Sequence, residues 1–109
     1  MVSYPRRDEV WLIALDPSKG SEIKKTRPCL VISPDEMNEA LQTVVVAPMT
    51  TTLRKYPTRV NLVFRNKAGQ IALDQQRAID RQRLVRRLGL VSTKTADQVS
   101  KVLIEMFVR

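Results

Sequence analysis

Four groups of polar side chains stand where the sequence predicts that loops meet strands, and their types suit an active site without histidine. They are Glu22, Arg27, the run Thr50–Thr52 and Asp74. A carboxylate can act as a general base if burial raises its pKa, and an arginine can hold two phosphoryl oxygens at once. Threonine hydroxyls can donate hydrogen bonds to the same oxygens. Together these groups could cleave RNA, because they could deprotonate a 2′-hydroxyl and stabilise the charge that develops on phosphorus.

Each of these residues also has a purely structural interpretation. Glu22 could simply be solvated, the threonines could form a hydroxyl-capped turn, and Asp74 could pair with a nearby arginine such as Arg77. Arginine is a poor general acid because its pKa lies above about 12, so Arg27 is expected to act electrostatically first. The residue types alone leave these alternatives open.

The composition favours one basic domain with an anionic partner. The chain has 109 residues, with 19 Lys and Arg against 11 Asp and Glu, a formal net charge of +8 and a sequence pI of about 10.3. This length predicts a single domain spanning residues 1–109. The charge favours a nucleic acid, an acidic protein or a membrane surface as partner, although it could also serve solubility alone.

The absence of histidine excludes several kinds of site. Catalytic triads or dyads that depend on histidine, histidine-ligated zinc and histidine acid–base pairs are all ruled out. The single cysteine, Cys29, lies in an apolar run and is expected to be a buried core residue. We therefore expect no metal and no cofactor. The amino-terminal stretch has no apolar signal core and no apolar run reaches membrane length, which predicts a cytoplasmic protein without a membrane partner.

The elements that must position these side chains are mostly short strands. Pro28 pushes Arg27 toward an extended conformation at the end of a polar loop that contains Gly20. The apolar and alternating patterns predict turn residues at 66–69 and five strands: Glu9–Asp16, Pro28–Ser33, Thr43–Ala47 (ended by Pro48), Arg59–Phe64 and Gln70–Gln75. Residues 1–7 are polar and predict a loose lead-in.

Two helices and a basic edge complete the predicted organisation. Ser33 is expected to cap a short helix that starts with Pro34 and ends near Leu41. Ser92 is expected to cap a final amphipathic helix, because apolar residues recur after it at the i, i+3, i+4 spacing. Between them, residues 77–87 are rich in arginine and precede a short strand at 90–91. The fold class predicted is α+β, mainly β: a strongly curved antiparallel sheet or barrel with helices at its edges.

Several short motifs, in order along nearly the whole chain, resemble the MazF/PemK family of toxins from toxin–antitoxin systems. They are Glu9-Val10-Trp11, Leu15-Asp16-Pro17, Gly20-Ser21-Glu22, Thr26-Arg27-Pro28, Val31-Ile32-Ser33-Pro34, Pro48-Met49-Thr50-Thr51 and Asp74-Gln75 with Ile79-Asp80. The resemblance implies a compact SH3-like barrel that forms a homodimer. It also implies a metal-independent endoribonuclease that cuts single-stranded RNA at short motifs and leaves a 2′,3′-cyclic phosphate and a 5′-hydroxyl.

The resemblance assigns roles to individual residues. The family's catalytic arginine and threonine fall on Arg27 and Thr50, and its candidate base falls on Glu22. Other members use the acid that falls on Asp74, but the arginine that assists it two residues earlier is Ala72 here, which shifts the weight toward Arg27, Thr50 and Glu22. Thr51 is a further catalytic candidate. The implied RNA contacts are Lys25, Thr52, Arg54, Lys55, Gln75, Arg77 and Arg81.

The resemblance also implies a partner. Two other functions compete with the ribonuclease: one belongs to toxins of the same fold, and the composition alone favours the other. The family's antitoxins use an acidic, largely disordered segment, which a chain of charge +8 would attract. One competitor is a toxin of the same fold that poisons DNA gyrase. That group relies on a tryptophan near the carboxyl terminus, whereas this chain ends in Ile104-Glu105-Met106-Phe107-Val108-Arg109. The other is a basic nucleic-acid-binding module without catalysis.

Overall fold

Seven antiparallel strands form one curled sheet in the computed structural model, which describes residues 4–109. The strands are β1 Glu9–Ala14, β2 Thr26–Val31, β3 Thr43–Thr50, β4 Arg59–Phe64, β5 Lys67–Ala72, β6 Arg77–Asp80 and β7 Leu84–Leu90. Two helices, α1 Asp35–Ala40 and α2 Thr93–Phe107, and two short 3₁₀ segments, Leu73–Gln75 and Arg81–Arg83, complete the elements. The predicted fold class, mainly antiparallel β with an inserted and a carboxyl-terminal helix, is confirmed.

Strand β3 is the organising strand of the sheet. The hydrogen-bonded order is β4-β5-β3-β2-β1-β7, and β6 pairs with the first half of β3. The second half of β3 turns to β5 instead, through Met49 opposite Ile71 and Thr50 opposite Gln70. Because one strand changes partner along its length, the sheet can curl, and the end of β3 comes to lie beside the loops that follow β1 and β5.

Alternate residues of the central strands enter two separate cores. Leu30 and Ala47 belong to one cluster, whereas their neighbours Cys29, Val31 and Val46 belong to the other. Since successive side chains of a strand point to opposite faces, the middle of the sheet is buried on both sides. On the first face, Val99 and its partly buried neighbours of α2 cover the sheet.

The two helices illustrate a confirmed and a wrong capping prediction. Ser92 caps α2 as predicted, since its hydroxyl accepts the Thr95 N–H at 3.2 Å. Ser33 does not cap α1: Pro34 occupies the N-cap position, and the Ser33 hydroxyl bonds Asn38 and the Val45 N–H instead. Neither helix of residues 4–109 combines the length and the apolar character needed to cross a membrane.

Proline and turn signals also gave wrong strand ends. Pro48 does not end β3, because it lies where the strand passes from β6 to β5 and an amide donor is not required there. The β4–β5 turn is centred on Arg65 and Asn66, both with positive φ, as a two-residue hairpin requires. The predicted loose lead-in is tied down in its described part, since Asn38 donates to the Pro5 carbonyl at 3.1 Å; residues 1–3 lie outside the described residues.

Candidate active site

The loops after β1, β3 and β5 enclose a groove of about 550 Å³. It is lined by Ser21, Glu22, Ile23, Lys24, Lys25, Arg27, Thr50, Thr52, Arg54, Tyr56, Arg59, Asp74 and Gln75. All four positions singled out for their chemistry, Glu22, Arg27, Thr50 and Asp74, therefore face one space. Among the predicted RNA contacts, Lys25, Thr52, Arg54 and Gln75 line it as well.

Arg27 is held at one end by the turn that precedes it. It is the second residue of β2 rather than a loop residue, and its Nε donates to the Lys24 carbonyl at 2.8 Å. Lys25 adopts a positive φ of 71°, and the Asp16 carboxylate accepts its N–H at 3.1 Å. Within residues 4–109 the terminal nitrogens of the Arg27 guanidinium have no hydrogen-bond partner, so they are open to a ligand in the groove.

Thr50 is fixed from behind and keeps its proton free for a ligand. Its side chain is buried, and Oγ1 accepts the Thr52 N–H at 3.1 Å in a hydroxyl-capped turn. Since Oγ1 acts as the acceptor, its O–H remains able to donate to an oxygen in the groove. Gly69 packs directly against this residue: a Cβ built at Gly69 would stand 2.8 Å from the Thr50 carbonyl oxygen.

Glu22 closes a small turn at the rim of the groove. Its Oε1 accepts the Lys19 N–H at 2.5 Å, and its own N–H donates to the Lys19 carbonyl at 3.1 Å. The residue is exposed, in agreement with its structural interpretation, but it also lines the groove beside Arg27.

Asp74 is committed to Arg59 rather than to Arg77. It lies in the 3₁₀ segment and not in a strand, and Arg59 binds both its oxygens, at 2.7 Å through Nε and 3.2 Å through the second terminal nitrogen. Burial tends to raise the pKa of this carboxyl, but hydrogen bonds from Arg59, from its own backbone and from Thr58 outweigh it and hold the pKa below its usual range. A carboxylate stabilised in this way is a weak proton acceptor.

The groove is positively charged on balance. Its lining contains five cationic side chains, Lys24, Lys25, Arg27, Arg54 and Arg59, against the two carboxylates of Glu22 and Asp74. The Arg59 guanidinium also lies 5.2 Å from the centre of the Tyr56 ring. A groove with open donors, a cationic lining and an aromatic face is suited to a phosphodiester chain with unpaired bases.

A family model described as "PemK-like, MazF-like toxin of type II toxin-antitoxin system" matches residues 6–107. The chain belongs to this family. A relative of the same family, Endoribonuclease MazF9 of Mycobacterium tuberculosis, is 33% identical over 108 residues, which cover 90% of this chain and 92% of that protein.

Solved structures of MazF proteins share the fold. The MazF of Deinococcus radiodurans superposes with a TM-score of 0.86 at 24% identity, over 99% of this chain and 100% of that one. An endoribonuclease in complex with its cognate antitoxin, from a mycobacterial species, gives a TM-score of 0.79 at 24% identity, over 93% and 92% of the two chains.

Some residues predicted to contact RNA lie outside the groove of this MazF-family chain. Lys55 is exposed but does not line it. Thr51, predicted as a catalytic candidate, instead lines a smaller apolar pocket of about 130 Å³ on the other side of Arg27 and Thr50. Arg77 donates to the Leu15 carbonyl and to the Ser18 hydroxyl, each at 3.3 Å. Arg81 donates to the carbonyls of Asn38 and Glu39 at the end of α1.

Sequence reasoning missed Arg59 and Tyr56 as groove residues. The sequence pattern places Arg59 only at the start of a predicted strand and indicates no role for Tyr56. Arg59 reaches Asp74 because β4 and β5 pair in a register that sets it opposite Ala72. The sequence does show that Arg59 follows a loop with a proline and that Asp74 follows the strand paired with β4. Their contact, however, depends on the register of β4 and β5.

The single cysteine belongs to the core of the protein. Cys29 is fully buried behind Arg27, and burial raises the pKa of its thiol to about 12, so it is a core residue as predicted. Across residues 4–109, no three or more His, Cys, Asp or Glu side chains are grouped as metal ligands would be.

Proposed function

We propose that this protein is an endoribonuclease toxin that cuts single-stranded RNA at short sequence motifs without a metal ion. The observation that carries the proposal is that Arg27 and Thr50 present open donors to one cationic groove. Membership of the toxin family and the name of its curated relative, an endoribonuclease, support it. We propose mRNA as the single-stranded substrate in the cell, and the proposed site of action is therefore the cytoplasm.

The proposed reaction is an internal transfer of the phosphoryl group. A base removes the proton of the 2′-hydroxyl, the 2′-oxygen forms a bond to phosphorus, and the bond from phosphorus to the 5′-oxygen breaks. The 5′-oxygen takes up a proton from water in the open groove, and the hydroxide that is left takes the proton from the base, which returns the site to its starting state. The products are therefore a 2′,3′-cyclic phosphate on the upstream piece and a 5′-hydroxyl on the downstream piece.

Arg27 and Thr50 act on the charge that develops in this reaction. The terminal nitrogens of Arg27 bind the phosphoryl oxygens, and the Thr50 hydroxyl donates to one of them. Because Nε of Arg27 and Oγ1 of Thr50 are already tied to the protein, little reorganisation accompanies the reaction.

Glu22 is the base that we favour over Asp74. Both oxygens of Asp74 are bound by Arg59 and its pKa is lowered, whereas one oxygen of Glu22 accepts no hydrogen bond within residues 4–109. We expect Glu22→Gln to lower kcat, but less than the loss of Arg27, and to flatten the acid limb of the pH profile. Asp74→Asn, the matched control, should keep that limb; an unchanged pH profile in Glu22→Gln would place the base elsewhere.

The partners we propose are a second copy of the chain and an acidic antitoxin. The net charge of +8 favours an acidic partner, and a similar mycobacterial endoribonuclease has been solved with its cognate antitoxin. Light scattering of the purified chain would measure the dimer directly.

The deciding experiment is incubation of the purified protein with a long mixed-sequence RNA in EDTA, followed by mapping of the new ends. Cuts at a recurring motif with an upstream cyclic phosphate are expected, and Arg27→Ala is the control for contaminating nuclease. Intact RNA with retained binding would indicate a non-catalytic nucleic-acid-binding module. Intact RNA without binding would direct attention to gyrase, the target of the other toxins with this fold.

A further inference from the structure

A buried amide on β5 holds the basic loop that follows β3. Gln70 is only 6% exposed, and its Nε2 donates to the Arg54 carbonyl at 3.0 Å while its Oε1 accepts the Arg54 N–H at 3.0 Å. Both polar backbone groups of Arg54 are therefore bound by one side chain. Nε2 also donates to Asn61 Oδ1 at 2.9 Å, which fixes the orientation of the amide.

The loop between β3 and β4 depends on this contact for its position. Residues 51–57 are all exposed, and their other backbone hydrogen bonds outside the strand ladders, within residues 4–109, are local. The Thr52 N–H donates to Thr50 Oγ1, the Arg54 guanidinium to the Leu53 carbonyl, and the Arg59 N–H to the Tyr56 carbonyl. Gln70 is thus the connection between the middle of the loop and the sheet. The same loop brings Arg54 and Tyr56 to the groove.

An amide at a buried strand position is costly unless its groups are bonded, and an apolar residue would fill the same space without that requirement. The neighbours of Gln70 on β5, Ile71 and Ala72, are apolar core residues. What Gln70 provides beyond burial is the bond to the Arg54 backbone.

We propose that Gln70 is a positioning residue that sets how tightly the groove binds RNA, by fixing the loop that presents Arg54 and Tyr56. The inference rests on the proposed ribonuclease function. Gln70 does not line the groove; it acts through the backbone of Arg54. Thr50 pairs with Gln70 only through the backbone of β3 and β5, which a side-chain substitution keeps, and its hydroxyl is held by the Thr52 N–H. Arg27 is held by the Lys24 carbonyl, so the chemical step should be affected much less than binding.

The test uses Gln70→Met, which keeps the length of the side chain and removes its polar atoms. We expect KM for a short RNA to rise about tenfold with kcat within about twofold, and the salt slope of RNA binding to fall by about one, the share of one phosphate contact. The Arg54 amide should exchange with solvent faster than in the parent. A merely structural role would lower the melting temperature and the active fraction but leave KM and the salt slope unchanged.

Two comparisons keep the test decisive. In an Arg54→Ala background, Gln70→Met should raise KM by a smaller factor than it does in the parent, since the Arg54 contact is then already lost and only the placement of Tyr56 remains to be affected; full additivity would overturn the proposal. Gln70→Leu, which is also apolar and removes both bonds to Arg54, should raise KM in the same way, and it serves if Gln70→Met does not fold.

A separate readout distinguishes this proposal from the ribonuclease proposal. An oligonucleotide with 2′-deoxyribose at the cut site can bind without being cleaved. Its binding to the parent and to Gln70→Met can be followed by fluorescence anisotropy. If the parent cleaves RNA but Gln70→Met leaves KM and anisotropy unchanged, the positioning role fails alone. If the parent binds but never cleaves, the ribonuclease proposal fails while weaker binding by Gln70→Met would still support the positioning role.

Discussion

Arg27 of the groove differs in the fold from Arg77 and Arg83 of the arginine-rich segment 77–87, although the three residues are alike in the sequence. Arg27 uses one nitrogen to bind the protein and presents the others to the groove. Arg77 and Arg83 donate to the backbone carbonyls of Leu15 and of Ala14 and Asp16, at the end of β1. Net charge therefore governs general attraction to an anion, whereas the partners that a guanidinium already has decide whether it can bind one.

Arg59 is intermediate between an arginine with free donors and one whose donors are bound within the protein. It lines the groove, but its side chain is only 8% exposed and it is paired with Asp74. Such an arginine contributes to the positive field of the groove and shapes its wall, while its hydrogen-bond donors are largely used within the protein. The difference between open and committed arginines can be tested residue by residue.

The largest effect is expected for Arg27→Ala. Because this change removes a donor aimed at the developing charge, we expect kcat to fall about 10²–10³-fold. The melting temperature should stay close to that of the parent, since Arg27 makes one bond to its own loop. Steady-state cleavage of a short RNA and a thermal melt measure the two quantities, and cleavage at the parental rate would contradict the assignment.

A stability effect is expected for Arg77→Met. Loss of the charged hydrogen bonds to Leu15 and Ser18 should lower the free energy of unfolding by about 1.5–3 kcal/mol. Because Arg77 makes these bonds outside the groove, the salt slope of RNA binding should not change. Urea unfolding measures the stability of the parent and of Arg77→Met, and titrations with RNA at several salt concentrations measure the binding of each. Weaker binding at unchanged stability would make Arg77 an RNA contact, as the family resemblance implies.

The smallest effect is expected from the pH dependence of the Arg59–Asp74 pair. The folded-state pKa of Asp74 is lowered, so its contribution to stability is present above its ordinary value of 3.8 and is lost as the pH falls below it. Asp74→Asn should therefore be less stable than the parent at neutral pH, and the two should converge in acid. Chemical unfolding at pH 7 and pH 3 measures this, and a constant difference between the two proteins would rule out the pair as its source.

Local patterns predicted much of the fold because they depend on a few neighbouring residues. The apolar alternation of Arg59–Phe64 and the cap at Ser92 are both present in the structure. Ser33 and Pro48 were misjudged, since their roles depend on distant partners: Val45 and Asn38 for the hydroxyl, and the change of neighbouring strand for the proline.

The candidate site divides in the same way. The sequence predicts Glu22, Arg27, Thr50 and Asp74 as site residues, and all four line one groove. Whether an arginine there is open or committed could not be predicted, because the partner of Asp74 is set by the register of β4 on β5 and that of Arg77 by the packing of β6 near the end of β1. Whether Asp74 and Arg77 are free or bound therefore depends on hydrogen bonds between residues 15 or more positions apart in the sequence.

Gly69, in the β4–β5 hairpin, affects the groove because it has no side chain: the backbone of Thr50 occupies the space that a Cβ atom would need. Any side chain there would push on the Thr50 carbonyl, which belongs to the backbone and cannot turn aside. When a cell is selected for escape from the toxin, inactivating changes should therefore accumulate at Gly69, although it has no functional group of its own. A genetic screen would report this glycine as essential, and steric exclusion alone would account for it.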